Sequence, residues 1–332
     1  MRPNPGGNLR TVPALAPLSE ITSISAEIDA VVAPTPQFSW PLLNERAGCE
    51  LWVKHENHTA IGSFKIRGAV NYINRLVERE PGVRGVVAAT RGNHGQAVAF
   101  AAARRGLTTT VLAPRGNSVE KNRAMRALGV ELIEHGEDFQ AALVQSQRIA
   151  AERGLHWVPS FHRDLVNGNA VSMVDFLRKA PRLDRVYVPI GMGSGICALL
   201  TARDGLGLST EVVGVAAERA PAISMSFEAR RLISHAATTR IADGMACSTH
   251  SADALEAMLA GAGSIVRVSD DEIEAAMRAF FSDTHNVAEG AGAAALAALL
   301  GDRDRVAGKR VGVVLTGGNV DADVFARVLA AS

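Results

Sequence analysis

Residues 83–113 read VRGVVAATRGNHGQAVAFAAARRGLTTTVLA, two strand patterns with a helix pattern between them. Residues 83–90 and 108–113 are short runs of β-branched and small apolar side chains, which are typical of buried strands. The alanine-rich residues 94–105 between them favour a helix. A strand, a helix and a second strand in this order predict neighbouring parallel strands in one sheet.

The same alternation continues along the chain. A helix pattern occupies residues 119–128, and further short apolar runs occupy residues 130–135, 185–190, 211–215, 264–268 and 310–315. The last four runs predict a second, larger sheet, and a capping-box pattern at Ser269 and Glu272 predicts a helix start. Because the 332 residues exceed the roughly 100 to 200 of one domain, we expect an α/β fold of two units, each a twisted, mostly parallel sheet flanked by helices.

Composition narrows the class of partner. Lys and Arg total 35 against 34 for Asp and Glu, so a net charge of +1 gives no reason to expect nucleic acid or an anionic membrane. No apolar signal core follows Met1, and the apolar run at residues 291–300 is too short to span a bilayer and predicts a buried helix. The widely spaced Cys49, Cys197 and Cys247 favour a reducing compartment. We therefore expect a cytoplasmic protein that acts on small molecules.

The first motif that could take part in catalysis or binding is residues 62–69, GSFKIRGA. Lys65 lies there between small and apolar residues, at a predicted helix start. A desolvated lysine has a lowered pKa and can condense with an aldehyde cofactor. The alternative is a surface lysine in the first turn of an amphipathic helix, which is the commoner situation for a lysine considered alone.

The second motif is residues 90–96, TRGNHGQ, between a predicted strand and the helix that follows. Backbone N–H groups at such a turn bind anions, with the helix dipole assisting, and a substrate carboxylate would suit them. The alternative is an ordinary strand-to-helix turn with Asn93 as its cap and His94 as a first-turn residue.

Two further motifs follow predicted strands. Residues 191–195, GMGSG, form a glycine-rich turn that can hold phosphate through backbone amides, with a hydroxyl from Ser194. Ile196 replaces the third glycine of the dinucleotide fingerprint, which argues against a nicotinamide oxidoreductase. Residues 315–319, LTGGN, offer the Thr316 hydroxyl as a hydrogen-bond partner for a ring nitrogen. In isolation the first of these motifs is equally compatible with a tight turn that binds nothing, and for the second a strand end with a Gly-Gly turn is the commoner situation.

Together and in this order, the four motifs resemble the fold-type II pyridoxal phosphate family, in particular its threonine dehydratase and serine racemase branch. The similarity extends over residues 34–320 and includes KHEN at 54–57, ADG at 242–244 and AEGAG at 288–292. The resemblance implies a fold like that of the tryptophan synthase β subunit, and a homodimer that binds pyridoxal 5'-phosphate and an amino acid. Its implied domains are a flexible tail at residues 1–19, a large cofactor-binding domain from residues 20–84 and 161–332, and a small domain at residues 85–160.

The resemblance also assigns site residues. Lys65 would bind the cofactor, Phe64 would pack near its ring, Asn93 would hydrogen-bond its hydroxyl, and Thr316 would take the place of the usual serine at the ring nitrogen. The phosphate would lie on a loop of Gly191, Met192, Gly193, Ser194 and Gly195, in which Met192 and Ser194 depart from the family's tetraglycine pattern. The substrate carboxylate would contact Thr90, Arg91, Gly92, Asn93 and His94.

The implied reaction is β-elimination from threonine, serine or a bulkier β-hydroxy amino acid such as phenylserine or a hydroxyaspartate. Lys65 would remove the α-proton as general base, the β-hydroxyl would leave, and a 2-oxo acid and ammonia would result. Racemisation is not expected, because Arg91 replaces the serine that protonates the opposite face in racemases of this branch. Arg91 either pairs with a substrate carboxylate or faces solvent. No metal is expected, because Ala216 occupies the position of the family's cation-binding glutamate, with Glu218 two residues later.

Two other functions remain open on the sequence. One is β-replacement, as in cysteine synthases, and the other is a sensor that binds an amino acid or the cofactor without turnover. The substrate side-chain pocket is a further expectation, and its candidate residues are Phe139, His162, Met192 and Met245.

Overall fold

The computed structural model describes residues 15–331. Residues 1–14, which make up most of the tail expected at residues 1–19, lie outside the described residues, and so does the expectation about a signal core. The strands in chain order are β1 (Gln37–Ser39), β2 (Glu50–His55), β3 (Gly85–Ala89), β4 (Thr108–Ala113), β5 (Glu131–Glu134), β6 (His156–Trp157), β7 (Arg185–Pro189), β8 (Glu211–Ala217), β9 (Ser264–Val268) and β10 (Arg310–Leu315). The helices are α1 (Leu18–Asp29), α2 (Pro41–Ala47), α3 (Lys65–Arg79), α4 (Asn93–Ala103), α5 (Val119–Ala127), α6 (Phe139–Arg153), α7 (Arg163–Lys179), α8 (Ser194–Gly205), α9 (Ala222–Ala229), α10 (Ala252–Gly261), α11 (Asp270–Thr284), α12 (Gly290–Gly301), α13 (Arg303–Val306) and α14 (Ala322–Ala330).

The strands form a six-stranded sheet in the order β1-β2-β10-β7-β8-β9 and a four-stranded sheet in the order β5-β4-β3-β6. Only β1 and β2 pair antiparallel among the described strands, so the α/β fold with two mostly parallel sheets is confirmed. The strand patterns at residues 108–113, 264–268 and 310–315 match β4, β9 and β10 at both ends. The sequence did not predict β1 and β6, because three and two residues are too few to show a period.

The central strands of the larger sheet are buried on both faces. Val186 and Val188 of β7 pack in one apolar cluster with α3, α7 and α8. Tyr187 between them packs in another cluster with α11 and α12. Alternate residues of a strand point to opposite faces, so helices cover both sides of this sheet. Helix α12 is buried along nearly its whole length, as its apolar sequence predicted.

Helix α1 corrects the expected tail boundary, because Leu18 and Ser19 lie in its first turn. Pro17 precedes the helix with an extended conformation, and Ile21, Ile24 and Ile28 bury one face of it. This start was not predicted, because the prolines before it are typical of a loose tail. A proline just before a helix is nevertheless compatible with the helix's first turn. Within residues 15–331 none of the helices is both long and apolar enough to cross a membrane. The predicted capping box is confirmed, with Ser269 and Glu272 bonded reciprocally at the start of α11.

The parallel strands direct the motifs toward one cleft. Carboxyl ends of parallel strands meet at one edge of a sheet, which is where open α/β proteins bind ligands. Residues 90–94 follow β3, residues 191–195 follow β7, and residues 316–319 follow β10. The turn of residues 56–64 links β2 to α3 at the same edge of the larger sheet.

Candidate active site

A cavity between the two sheets brings nearly all the predicted site residues together. Those that line it are Phe64, Lys65, Thr90, Arg91, Gly92, Asn93, His94, Gly191, Met192, Gly193, Ser194 and Thr316. Gly195 does not line it, because it is the second residue of α8 and faces the Phe64 ring. A Cβ built there would be 3.5 Å from the Phe64 ring. Any contact of Gly195 with the cofactor stays a prediction.

Lys65 is the first residue of α3 and lies half-buried at the cavity wall, with its Nζ 4.5 Å from the centroid of the Phe64 ring. Burial lowers the pKa of the Lys65 amine, and the nearby Glu289 carboxylate opposes that effect. A neutral amine in an aromatic environment is suited to act as a nucleophile or base. The structure therefore places Lys65 inside the cavity and not on an exposed helix face.

The residues after Lys65 hold α3 in place. Arg67 is 1% exposed and donates hydrogen bonds to the carbonyls of Val32 and Ala33 at 2.8 and 2.9 Å. Its guanidinium also lies 3.4 Å from the carboxylate of Glu56, which is fully buried. A Cβ at Gly68 would be 2.6 Å from the Leu165 carbonyl oxygen on α7. Arginine and glycine in this motif thus fix the helix that carries Lys65.

The anion loop, residues 90–94, lies at the start of α4. Gly92 N donates to the Thr90 hydroxyl at 2.9 Å, and Gly92, not Asn93, is the N-cap residue of the helix. The alternative in which Asn93 caps this helix does not hold, because its side chain bonds across the cavity instead, to Glu289 and Asn319. Burial, with a smaller contribution from the nearby Lys65 amine, lowers the pKa of His94 to about 4, so this imidazole is neutral at pH 7.

The glycine loop, residues 191–195, has two positions whose backbone geometry or packing favours glycine. Gly193 has a φ of +104°, which favours glycine. A Cβ at Gly191 would be 2.3 Å from the Gly244 carbonyl oxygen. Helix α8, of 12 residues, begins at Ser194. A glycine turn followed by a helix N-terminus binds phosphate well, so this loop fits the phosphate of the cofactor that the resemblance implies.

Thr316 directly follows β10 and lies next to the lysine motif. Its carbonyl oxygen accepts a hydrogen bond from Phe64 N at 3.0 Å, and Ser63 and Gly317 form an isolated β-bridge. Thr316 is 6% exposed and its side chain faces the cavity. The hydroxyl is thus kept at a fixed place relative to Lys65, which fits a ring whose nitrogen takes a neutral partner.

The cavity also contains charged residues that sequence reasoning missed. Lys121 Nζ lies 3.2 Å from the Asp243 carboxylate and 3.6 Å from the Glu289 carboxylate. Asp243 and Glu289 belong to motifs that only the resemblance made visible, and Lys121 has the sequence context of an exposed helical residue. Cys247 lines the cavity as well, and burial raises the pKa of its thiol to about 11.

The expected side-chain pocket is partly correct. Phe139, Met192 and Met245 line the cavity, whereas His162 does not. His162 instead caps α7, with Nδ1 accepting from Asp164 N at 3.1 Å. Its ring also packs edge-on against Tyr72, with 5.1 Å between the centroids.

Arg91 lines the cavity and is half-buried. Its Nε is buried with no hydrogen-bond partner among the residues that the structure describes. Asn117 Nδ2 donates to the Arg91 carbonyl oxygen at 3.1 Å and so fixes the backbone here. The guanidinium therefore borders the space available to a substrate.

Known proteins resemble this chain over nearly its whole length. The family described as pyridoxal-phosphate dependent enzyme matches residues 28–317. An L-threonine ammonia-lyase of Thermotoga maritima is 33% identical over 94% of this chain and 78% of its own length. An L-threo-3-hydroxyaspartate ammonia-lyase of Saccharomyces cerevisiae is 28% identical over 93% of this chain and 95% of its own. The structure of maize serine racemase matches with a TM-score of 0.88 at 26% identity, covering 94% of this chain and 96% of that one. The chain belongs to the fold-type II family of pyridoxal-phosphate-dependent enzymes.

Proposed function

We propose that this chain is a lyase that converts a β-hydroxy amino acid into a 2-oxo acid. The substrate loses water across its α and β carbons, and hydrolysis then releases its amino group as ammonia. The observation that carries this proposal is the meeting of Lys65, the anion loop and the glycine loop in one cavity. Relatives named as ammonia-lyases support the same reaction class.

The cofactor would be held by Lys65, Asn93, Thr316 and the glycine loop. When bound, pyridoxal phosphate withdraws electrons from the α-carbon of an amino acid and makes its proton removable. A hydroxyl such as that of Thr316 leaves the ring nitrogen uncharged, which favours elimination over chemistry that needs a long-lived carbanion.

Lys65 would act as the general base at the α-carbon. Burial lowers the pKa of its amine, so a larger fraction is neutral and able to accept a proton near pH 7. The substrate carboxylate would bind at the start of α4. Its partners there would be the backbone N–H groups of the anion loop and the Arg91 guanidinium. Neutral His94 adds no charge there, so the carboxylate would rely on Arg91 and the helix dipole.

The substrate's β-substituent would face apolar residues. Phe139, Met192 and Met245 line the cavity, and apolar walls favour a methyl or phenyl group over a second charged group. This supports threonine or phenylserine over serine and hydroxyaspartate as the preferred substrate.

The test is release of 2-oxo acid from a panel of L-threonine, L-serine, phenylserine and hydroxyaspartate. The wild-type protein should release it, Lys65→Ala should not, and Lys179→Ala should match wild type because Lys179 is exposed and paired with Asp175 at 2.6 Å. Turnover that appears only with an added thiol would indicate β-replacement instead. A spectral change with amino acids but no product would indicate a sensor.

Two broader properties complete the proposal. A cytoplasmic location is supported by free cysteines, since Cys49, Cys197 and Cys247 form no disulfide.

A homodimer is supported by the family resemblance alone. Small-angle scattering should give about twice the 34.9 kDa mass of one chain, and the mass of a single chain would exclude the dimer.

A further inference from the structure

Glu289 is a buried carboxylate that the proposed reaction does not use. It is 5% exposed, immediately precedes α12 and lines the cavity. Its Oε1 accepts a hydrogen bond from Asn93 Nδ2 at 2.6 Å, and its Oε2 lies 3.6 Å from Lys121 Nζ. A buried carboxylate is tolerated only with such partners. The two contacts fix both of its oxygens.

The neighbouring hydrogen bonds determine which way the Asn93 amide faces. Asn319 Nδ2 donates to the carbonyl oxygen of Ile61 at 2.8 Å, and a carbonyl can only accept. The same nitrogen lies 2.8 Å from Asn93 Oδ1 and donates to it as well. The Asn93 oxygen is therefore on the Asn319 side, and its nitrogen is on the Glu289 side. The bonding pattern fixes this orientation, which side-chain shape alone would not.

An amide nitrogen has two hydrogens, and Glu289 accepts only one of those on Asn93. We propose that Glu289 is a positioning residue. It holds the Asn93 amide so that the second N–H of Asn93 faces the hydroxyl oxygen on the ring of the cofactor. This rests on the proposed function, in which Asn93 contacts that oxygen. Without the carboxylate the Asn93 nitrogen loses the partner that holds it, and among the described residues only the bond from Asn319 to the Asn93 oxygen still restrains the amide.

Lys121 would keep Glu289 in place from the opposite side. Its Nζ is bound by Asp243 at 3.2 Å, so the ammonium cannot swing away from Glu289 freely. Asn93 and Lys121 come from α4 and α5 beside the smaller sheet, whereas Asp243 and Glu289 come from segments packed on the larger sheet. The orientation of Asn93 thus depends on both halves of the cleft.

The experiment measures the dissociation constant of pyridoxal phosphate for a set of variants. Asn93→Ala should weaken binding about tenfold, the loss expected for one hydrogen bond to a charged group. Glu289→Leu and Glu289→Asp should weaken it by a similar factor, because leucine has no acceptor and the shorter aspartate does not reach Asn93. The double variant Asn93→Ala/Glu289→Asp should bind no more weakly than Asn93→Ala alone, because Glu289 would act through Asn93. Glu274→Gln removes a carboxylate paired with Arg327 at 2.9 Å away from the cavity and should leave binding unchanged.

A spectroscopic measurement distinguishes the effect of the position of the Glu289 carboxylate from the effect of its charge. Glu289→Asp keeps the charge but is one methylene shorter, so it should lose the contact with Asn93. The pH midpoint of the bound cofactor's visible absorbance should therefore rise in Asn93→Ala and in Glu289→Asp, since a donated hydrogen bond stabilises the deprotonated hydroxyl. A general loss of structure would instead release the cofactor and abolish its bound absorbance band.

Three results would overturn the proposal: wild-type behaviour of Glu289→Asp, losses of affinity that multiply in the double variant, or an unchanged affinity in Asn93→Ala. The third would also remove Asn93 from the proposed site, whereas 2-oxo acid release by the wild-type protein would leave the reaction itself standing. If the single Glu289 variants fail to fold, Lys121→Met/Glu289→Leu removes both charges and the acceptor together, and the same comparison with Asn93→Ala applies to it.

Discussion

Arg91 stands where the family resemblance implies a serine in racemases. It borders the cavity, and no carboxylate pairs with it within the described part of the chain, whereas Lys121 is paired twice. An unpaired guanidinium beside a helix N-terminus is suited to bind a carboxylate. This favours the first of the two alternatives that the sequence left open.

Arg91→Gln should raise KM about 10- to 100-fold with little change in kcat, because a charge-assisted hydrogen bond to the carboxylate exists before and during the reaction. Steady-state kinetics with the best substrate of the panel measures this. Arg115→Gln is the matched control, since Arg115 is exposed and pairs with Glu137 at 2.8 Å. An unchanged KM in Arg91→Gln would place the guanidinium outside the substrate site.

At the scale of elements, α3 is held by a buried ion pair. Glu56 is fully buried, and although burial raises the pKa of its carboxyl, Arg67 and Lys54 together with hydrogen bonds from Ser172 and Thr35 bring it below the usual value. The pair thus stabilises the fold above the carboxyl's unfolded pKa, and this stability is lost as pH falls through the lower folded pKa.

Arg67→Met should lower the free energy of unfolding by about 3 to 5 kcal/mol, because it leaves Glu56 buried and without its arginine. Urea unfolding at pH 7 measures the loss. Arg126→Met is the control, since its pair with Glu134 at 3.1 Å lies at the surface. Equal losses in the two variants would contradict the role given to the buried pair.

The contact between α3 and α7 depends on a glycine. A Cβ at Gly68 would be 2.6 Å from the Leu165 carbonyl and 2.8 Å from Asn169 Oδ1. Gly68→Ala should therefore cost about 1 to 3 kcal/mol of unfolding free energy through overpacking. Gly82→Ala has no atom within 4 Å of the new Cβ and should be nearly neutral. A stable Gly68→Ala protein with full activity would show that the two helices can separate at no cost.

On the scale of the whole molecule, buried neutral histidines make stability depend on pH. Burial lowers the pKa of His55, His94 and His250 to about 4 in each case. Unfolding returns each to an ordinary value near 6.5, so the unfolded chain binds about three more protons between these pH values. The stability that these groups contribute is complete above pH 6.5 and is lost as pH falls toward 4.

Urea unfolding of the cofactor-free protein at several pH values between 4 and 6.5 tests this. Stability should fall with decreasing pH by up to roughly 4 kcal/mol per pH unit. His55→Gln should reduce this slope by about a third, since one of three protons is removed. A flat profile between pH 5 and 6.5 would contradict neutral burial of these histidines.

How much the sequence predicted follows from what each pattern can encode. The β-branched run of β4 and the alanine-rich apolar run of α12 reveal their elements through local composition, and the loops after parallel strands meet because of topology. Lys121 was missed, because helical periodicity shows that a residue is polar but not which unit its side chain meets across a cleft. His162 was misplaced for the same reason, since nearness in sequence does not give a contact in space.

The central claim is that Lys65 carries the cofactor, and borohydride reduction tests it directly. Reduction makes the link between pyridoxal phosphate and its lysine permanent, and peptide mass spectrometry then locates the modified residue. We predict the label on the peptide that contains Lys65, with none on the peptide that contains Lys121, the other lysine of the cavity. A label on Lys121, or on no lysine of a protein that retains the cofactor, would contradict the account.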